Sequence, residues 1–370
     1  MSALPPVPLA DPARLSPDEA AAVAAAVGAV LQGPAWVGGE PVAAFERDLA
    51  AYVGAPDGHE VVGVGNGTDA LAVAFGALGL RAGDGVLVAD DEGGYASTAA
   101  AQLGLRVRVM DVDPDLGVPT AATAEEAAGV APGLRAVVVT HLHGDAVPLG
   151  GPGGTDGLDA WRRERGLLLV EDCAQAHGLR VDGRHVGLTG EAATFSFYPT
   201  KNLGAVGDGG AVLLPAEAAA LARELREYGW GDRYRVERAG GRNSRLDTLQ
   251  AAVLSARLPF LDARNVRRRE IANAYRRHVA MHGDPASSVA HHAVALAAEP
   301  AGRDALRDRL ERAGIMTAVH YPWLVSEMPG LEVDGGPSPA AGERRLRMLS
   351  LPCFPEMTLA EVDRVVEALT

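Results

Sequence analysis

VVGVGNGTDALAVAFGAL, residues 61–78, is a strand, a turn and a helix in one short stretch. Val61–Val64 is an apolar run that reads as a buried strand. Gly65-Asn66-Gly67 lets the backbone turn tightly. From Thr68 to Leu78, Leu71, Phe75 and Leu78 fall on one face of a helix. The alternation continues outward, with apolar runs at Gly85–Ala89, Arg106–Val112, Ala136–Thr140, Leu167–Val170, Thr194–Tyr198 and Ala211–Leu214, several of them separated by helical stretches. Strand and helix alternating in this way predict an α/β domain with a mostly parallel sheet flanked by helices.

After about residue 240 the pattern changes. A helical segment is expected from near Ser244, with Leu246, Leu249, Val253 and Leu261 at helical spacing. Further helices are expected around Arg303–Ala313 and Thr358–Leu369, with the loop His320–Pro322 between them. The chain thus divides into a large domain, residues 1–240, and a smaller C-terminal α+β domain, residues 241–370. Pro148–Gly157 reads as a surface loop, and His291-His292 as a strand entering the small domain.

A net charge of -14 over 370 residues argues against a nucleic-acid partner. Cys173 and Cys353 stand far apart, with no CxxC or CxxH pattern, so neither a disulfide framework nor a zinc knuckle is expected. A reducing, cytoplasmic setting follows. The opening MSALPPVPLADPARLSPDEA lacks a basic stretch followed by an apolar core, so no signal peptide is expected. No run approaches the ~20 apolar residues of a membrane span.

Four constellations fall at strand ends, where open parallel sheets gather their ligand sites. Gly65-Asn66-Gly67-Thr68-Asp69 opens a helix, and free N–H groups there, with the Thr68 hydroxyl, suit a phosphate. Taken alone it reads more readily as an ordinary strand-to-helix turn. It is not a dinucleotide fingerprint, because Thr68 stands where the third glycine belongs. Asp172, in Glu171-Asp172-Cys173-Ala174-Gln175-Ala176-His177-Gly178, ends an apolar run. It can hold a cofactor's pyridinium nitrogen protonated, or simply cap a following helix. In Phe195-Ser196-Phe197-Tyr198-Pro199-Thr200-Lys201 the strand delivers Ser196 and, after a proline turn, Lys201. That lysine suits a Schiff base with an aldehyde cofactor, and Ser196 suits its phosphate. An isolated lysine is usually a solvated charge, but this chain takes nearly all its basic residues as arginine, which cannot do amine chemistry. Tyr95, in Gly94-Tyr95-Ala96-Ser97-Thr98, can lie against a planar cofactor or merely pack. His141 and His143 read as packing or substrate contacts rather than metal ligands, since no third ligand is near. The cluster of arginines from Arg264 to Arg277 reads as a solvated helix face.

These blocks resemble the nucleotide-sugar aminotransferase family of fold-type I pyridoxal-phosphate (PLP) enzymes, the DegT/StrS type. The resemblance runs from Gly33-Pro34-Ala35-Trp36-Val37-Gly38-Gly39 to Leu349-Ser350-Leu351-Pro352 and is carried by NGTDAL, EDCAQAHG, FSFYPTKNLGAVGDGGAV and NSRLDTLQAAVL. It implies that Lys201 carries the cofactor, Asp172 partners the pyridine nitrogen and Gln175 lies near the ring oxygen. It implies a phosphate cradle of Gly67, Thr68, Asp69 and Ser196, with Tyr95 stacked on the ring. Asn243, in Asn243-Ser244-Arg245, matches an asparagine that reaches the cofactor phosphate of the neighbouring subunit, which implies a homodimer with shared active sites. Arg245, His320 and Tyr321 fall on the substrate side.

The implied reaction moves an amino group from L-glutamate or L-glutamine to an oxo-sugar, a nucleotide-linked 3-oxo or 4-oxo deoxysugar in amino-sugar or antibiotic biosynthesis. Alternatives are an inosose acceptor, or a PLP-binding sensor without turnover. A branch of the family that dehydrates sugars carries histidine in place of the lysine, and Lys201 argues against it. A nicotinamide oxidoreductase lacks its glycine motif. Two segments depart from the family pattern. Many relatives read HLYGQ where this chain has His141-Leu142-His143-Gly144-Asp145. Many carry Thr-Phe or Thr-Trp where it has Gly93-Gly94-Tyr95, a variant similar to that of relatives that aminate sugar carbon 3.

Overall fold

A computed structural model describes residues 5–129, 133–150 and 157–370. Its strands in chain order are β1 (His59–Val64), β2 (Gly85–Ala89), β3 (Arg106–Met110), β4 (Leu134–Thr140), β5 (Leu168–Asp172), β6 (Arg180–Val181), β7 (Arg184–His185), β8 (Ala192–Ser196), β9 (Gly210–Pro215), β10 (Ala293–Leu296), β11 (Val333–Asp334) and β12 (Met348–Leu351). Among the described residues eight of them form one sheet in the order β1-β9-β8-β5-β4-β2-β3-β11. Pairing is parallel throughout except at β9, which runs against both β1 and β8. The mostly parallel α/β sheet read from the sequence is therefore the architecture observed.

Helices cover both faces, and apolar side chains fill both layers. On one side Leu71 and Phe75 of the helix Gly67–Ala77 pack with Val62, Val88 and Val212. On the other, Phe45 and Leu49 meet Phe195, Phe197 and Leu213. Burial of such side chains stabilises by about 1.5–3 kcal/mol each. A separate apolar cluster gathers Ile271, Tyr275, Leu310, Leu349 and Val365 around the antiparallel pair β10-β12. The C-terminal half also reaches back into the large sheet. The short β11 pairs with β3 at its edge, and the helix Thr248–Arg257 lies against Pro17–Gln32 and Glu40–Val53.

The helix expected from Ser244 begins instead at Thr248. Residues 243–247 are drawn out by partners elsewhere in the chain. Asn243 bridges to Glu227 and Asp247 to Val37. The Ser244 hydroxyl accepts from Gly65 N–H at 2.9 Å and donates to Asp69 at 2.7 Å. Leu246, which looks like the start of the helical face, packs on Gly63. His291 and His292 precede β10 rather than forming it. Part of the expected loop Pro148–Gly157, residues 151–156, lies outside the described residues.

Candidate active site

The carboxyl ends of β1, β2, β4, β5 and β8 open on one cavity of about 480 Å³. Each contributes through the chain that leaves it: Gly67 and Thr68 after β1, Tyr95 after β2, Thr140 at the end of β4, Asp172 at the end of β5, Ser196 at the end of β8 and Lys201 just beyond.

Gly67 opens its helix against Ser196. A Cβ on Gly67 would stand 2.7 Å from Ser196 Cβ, so only glycine lets the two backbones come this close. Asn66 caps the helix, its side-chain oxygen accepting from Asp69 N–H at 2.8 Å. The helix N-terminus at Gly67 and Thr68 therefore borders the cavity beside the Ser196 hydroxyl, an arrangement of donors and dipole that favours a phosphate.

Asp172 is buried and accepts from Ala174 N–H at 2.9 Å. Burial pushes its carboxyl above the usual carboxylate range, while that N–H and the Lys201 charge pull it back. Lys201 follows the turn closed by its own N–H to the Tyr198 carbonyl at 2.8 Å. Burial lowers its ammonium to about 8, against the pull of Asp172. It is also the only lysine in the chain; every other basic residue is arginine. Together, an amine poised near neutrality, a buried carboxylate and a phosphate cradle in one cavity match the aldehyde, ring nitrogen and phosphate of PLP.

Opposite them, Gln175 accepts from His143 N–H at 2.6 Å and donates to the Tyr321 hydroxyl at 3.0 Å. Tyr321 meets Tyr95 edge-on, ring centres 6.0 Å apart. Gly93, at φ 83°, leaves room for the Tyr321 ring, which any Cβ there would strike at 2.7 Å. His320 stacks on His292 with centres 4.0 Å apart, and its Nδ1 lies 2.9 Å from Ser350 Oγ. His291 sits beside His292 and reaches Asn202 at 2.9 Å. Burial holds these three imidazoles uncharged at neutral pH, His320 down to about 4.

The cavity thus brings together Gly67, Thr68, Tyr95, Asp172, Gln175, Ser196, Lys201, His320 and Tyr321. Three expected residues stand outside it. The Asp69 carboxylate is taken up by Arg242 at 2.8 Å, the Ser244 hydroxyl at 2.7 Å and the Asn66 amide at 3.1 Å. It braces the cradle from behind, and a carboxylate facing a phosphate would repel it. Asn243 is exposed, and Arg245 lines a separate hollow with Trp230 and Tyr234. Glu92, Thr140, Asp208, His291 and His292 line the cavity without having been singled out from the sequence as site residues. The acidic run Asp90-Asp91-Glu92 at the end of β2 was the available signal for the first.

The DegT/DnrJ/EryC1/StrS aminotransferase family model matches residues 17–370. The chain belongs to this family. As a member it is a PLP-dependent transaminase of the fold-type I class. The aminotransferase is 37% identical over 345 residues to the dTDP-3-amino-3,4,6-trideoxy-alpha-D-glucose transaminase of Micromonospora megalomicea subsp. nigra, covering 90% of this chain and 89% of the relative. It is 37% identical over 337 residues to the erythromycin biosynthesis sensory transduction protein EryC1 of Saccharopolyspora erythraea, covering 88% of each. Its structure superposes on that of S. venezuelae DesV in complex with a ketimine intermediate with a TM-score of 0.88, at 34% identity, over 99% of this chain and 98% of the other.

Proposed function

We propose that this aminotransferase moves an amino group from L-glutamate or L-glutamine to a nucleotide-linked 3-oxo deoxysugar, in active sites shared across a cytoplasmic homodimer. One observation carries the reading: Lys201, Asp172 and the Gly67–Ser196 cradle open on a single cavity. Bound PLP supplies an aldehyde that accepts the amino group and a ring that absorbs electrons. Lys201 would hold the cofactor by its amine and, as a free amine, would move the proton at the donor's α carbon. Asp172 would accept from the pyridine nitrogen and keep it protonated. The N–H groups at Gly67 and Thr68, with the Ser196 hydroxyl, would bind the phosphate. Tyr95 would pack on the ring, Gln175 would serve the ring oxygen, and His320 and Tyr321 would orient the substrate.

Among the described residues that line the cavity, Lys201 is the only lysine or arginine. The carboxylates of an amino-acid donor need cations from elsewhere. Exposed Asn243 and the arginine-bearing loop through Arg245 lie outside their own chain's cavity and are free to complete a partner's. Acceptor choice draws on Gly93-Gly94-Tyr95 and on the Micromonospora relative, whose name puts the amino group at sugar carbon 3. No helix among the described residues is long and apolar enough to cross a membrane, and the two free cysteines are buried, in keeping with a reducing compartment.

A panel of 3-oxo and 4-oxo nucleotide sugars and an inosose, each with glutamate, tests the reading. Aminated product from the 3-oxo nucleotide sugar is expected. Product only from the 4-oxo counterpart, or only from the inosose, overturns the acceptor. The name of the Saccharopolyspora relative favours a second reading, a PLP-binding sensor. Uptake of PLP without turnover of any donor would establish that one instead.

A further inference from the structure

A second buried carboxylate borders the cavity, and the reaction described above gives it no task. Glu92, three residues past β2, is 3% exposed and lines the cavity with Asp172 and Thr140. Its Oε1 accepts from the N–H and the hydroxyl of Ser97, each at 3.1 Å, and its Oε2 lies 3.3 Å from Thr140 Oγ1. Thr140 is the β4 residue in register with Asp172 of β5, and β4 lies between β2 and β5 in the sheet, so Glu92 after β2 faces Asp172 across the end of β4. None of Glu92's hydrogen-bond partners is a cation. Asp172 feels the Lys201 charge and accepts from a backbone N–H as well.

Two buried carboxylates that line one cavity with a single ammonium cannot both ionise cheaply. The negative charge settles where the cation is, on Asp172, and the proton settles on the other. We propose that Glu92 is a positioning residue that acts through Asp172: it faces Asp172 across the end of β4 as an uncharged carboxylic acid, its proton on Oε2 toward Thr140. Asp172 is then the one ionised carboxylate at the buried end of the cavity, and Lys201 or a cationic ring nitrogen answers to that charge alone. Burial, with the Asp172 charge adding to it, pushes the Glu92 carboxyl up to about 8. The groups that face it from neighbouring elements are Asp172 and, beyond it, Lys201; Ser97 and Thr140 are neutral. Asp91, next in the chain, interacts with Asp90, Asp111 and Arg344 instead. The role in tuning the ring nitrogen rests on the function proposed above, but the protonation of Glu92 does not.

Infrared difference spectra of the purified chain, with and without PLP, separate the two. At pH 7 wild type minus Glu92→Gln should contain the C=O stretch of a protonated carboxylic acid, and the band should vanish as pH rises through about 8. In Asp172→Asn the same band should persist and titrate about one unit lower, because the neighbouring charge is gone. Absence of the band at pH 7 in the folded wild type overturns the proposal. A midpoint that ignores Asp172→Asn overturns the action through Asp172. In protein loaded with PLP, Glu92→Gln should leave the pH titration of the visible cofactor band in place below pH 8, whereas removing an ionised Glu92 would shift it by about a unit or more. A chain that takes up no PLP refutes the proposed function and leaves the infrared result to judge Glu92.

Discussion

Gly67 passes so close to Ser196 that a methyl group on it would stand 2.7 Å from the serine Cβ. This contact joins the start of a helix after β1 to the end of β8, two elements well over a hundred residues apart, and it shapes the phosphate end of the cavity. Gly67→Ala must push Ser196 aside. Overpacking of this kind costs about 1–3 kcal/mol. PLP affinity, followed by the visible band during titration, should fall at least about tenfold, with a smaller drop in melting temperature. Unchanged affinity would mean that the phosphate binds elsewhere.

Lys201 makes an unusually clean chemical test, because no other lysine exists in the chain. Borohydride treatment of the PLP-loaded protein should fix the cofactor at Lys201, and Lys201→Ala should abolish both the yellow band and transamination while the fold survives. The pH dependence has a defined sign. Burial lowers the ammonium to about 8, so the reactive free amine accumulates as pH rises through about 8 rather than through the ordinary lysine range near 10.4. Stopped-flow capture of PLP should therefore accelerate up to about pH 8–9 and then level. A rate still climbing at pH 10 would contradict the buried setting of Lys201.

Asp172→Asn keeps the size of the side chain and removes its charge. PLP should remain bound through the cradle and Lys201. Both half-reactions should slow on the order of 100-fold, the scale of losing one preorganised electrostatic partner. Single-turnover conversion of bound PLP to its amine form, monitored at the visible band, is the measurement. An undiminished rate would reduce Asp172 to a structural cap.

Much of this arrangement is legible in local sequence, and the rest fails for identifiable reasons. Gly85–Ala89 can be placed to the residue, because five buried apolar positions are bounded by Asp84 and Asp90. Lys201 and Asp172 stand out because charged groups at the ends of apolar strands are costly unless used. Asp69 misleads because it sits inside a phosphate-like turn while its partner Arg242 is 173 residues away. The helix start at Thr248 is hidden for the same reason, since the chain before it is stretched by Gly65 and Asp69. His291 and His292 look like the start of β10, and only the packing of the C-terminal half turns them to the cavity.

The shared site yields a complementation test. Asn243 is exposed, lies outside its own chain's cavity, and is fixed by the backbone bridge to Glu227. If it serves the phosphate of a partner, Asn243→Asp should repel that phosphate across the interface and lower activity, although it leaves its own chain's cavity intact. Lys201→Ala destroys the amine in its own cavity. Mixing the two variants forms heterodimers in which one site carries both lesions and the other carries neither, so about half of the heterodimers' sites should work. Activity should reappear on mixing two impaired proteins, with subunit exchange confirmed by mass. Were each site built from one chain alone, every Lys201→Ala site would stay dead and every Asn243→Asp site would keep its own lesion. Mixing would then add nothing to the separate activities, and the shared site would be refuted.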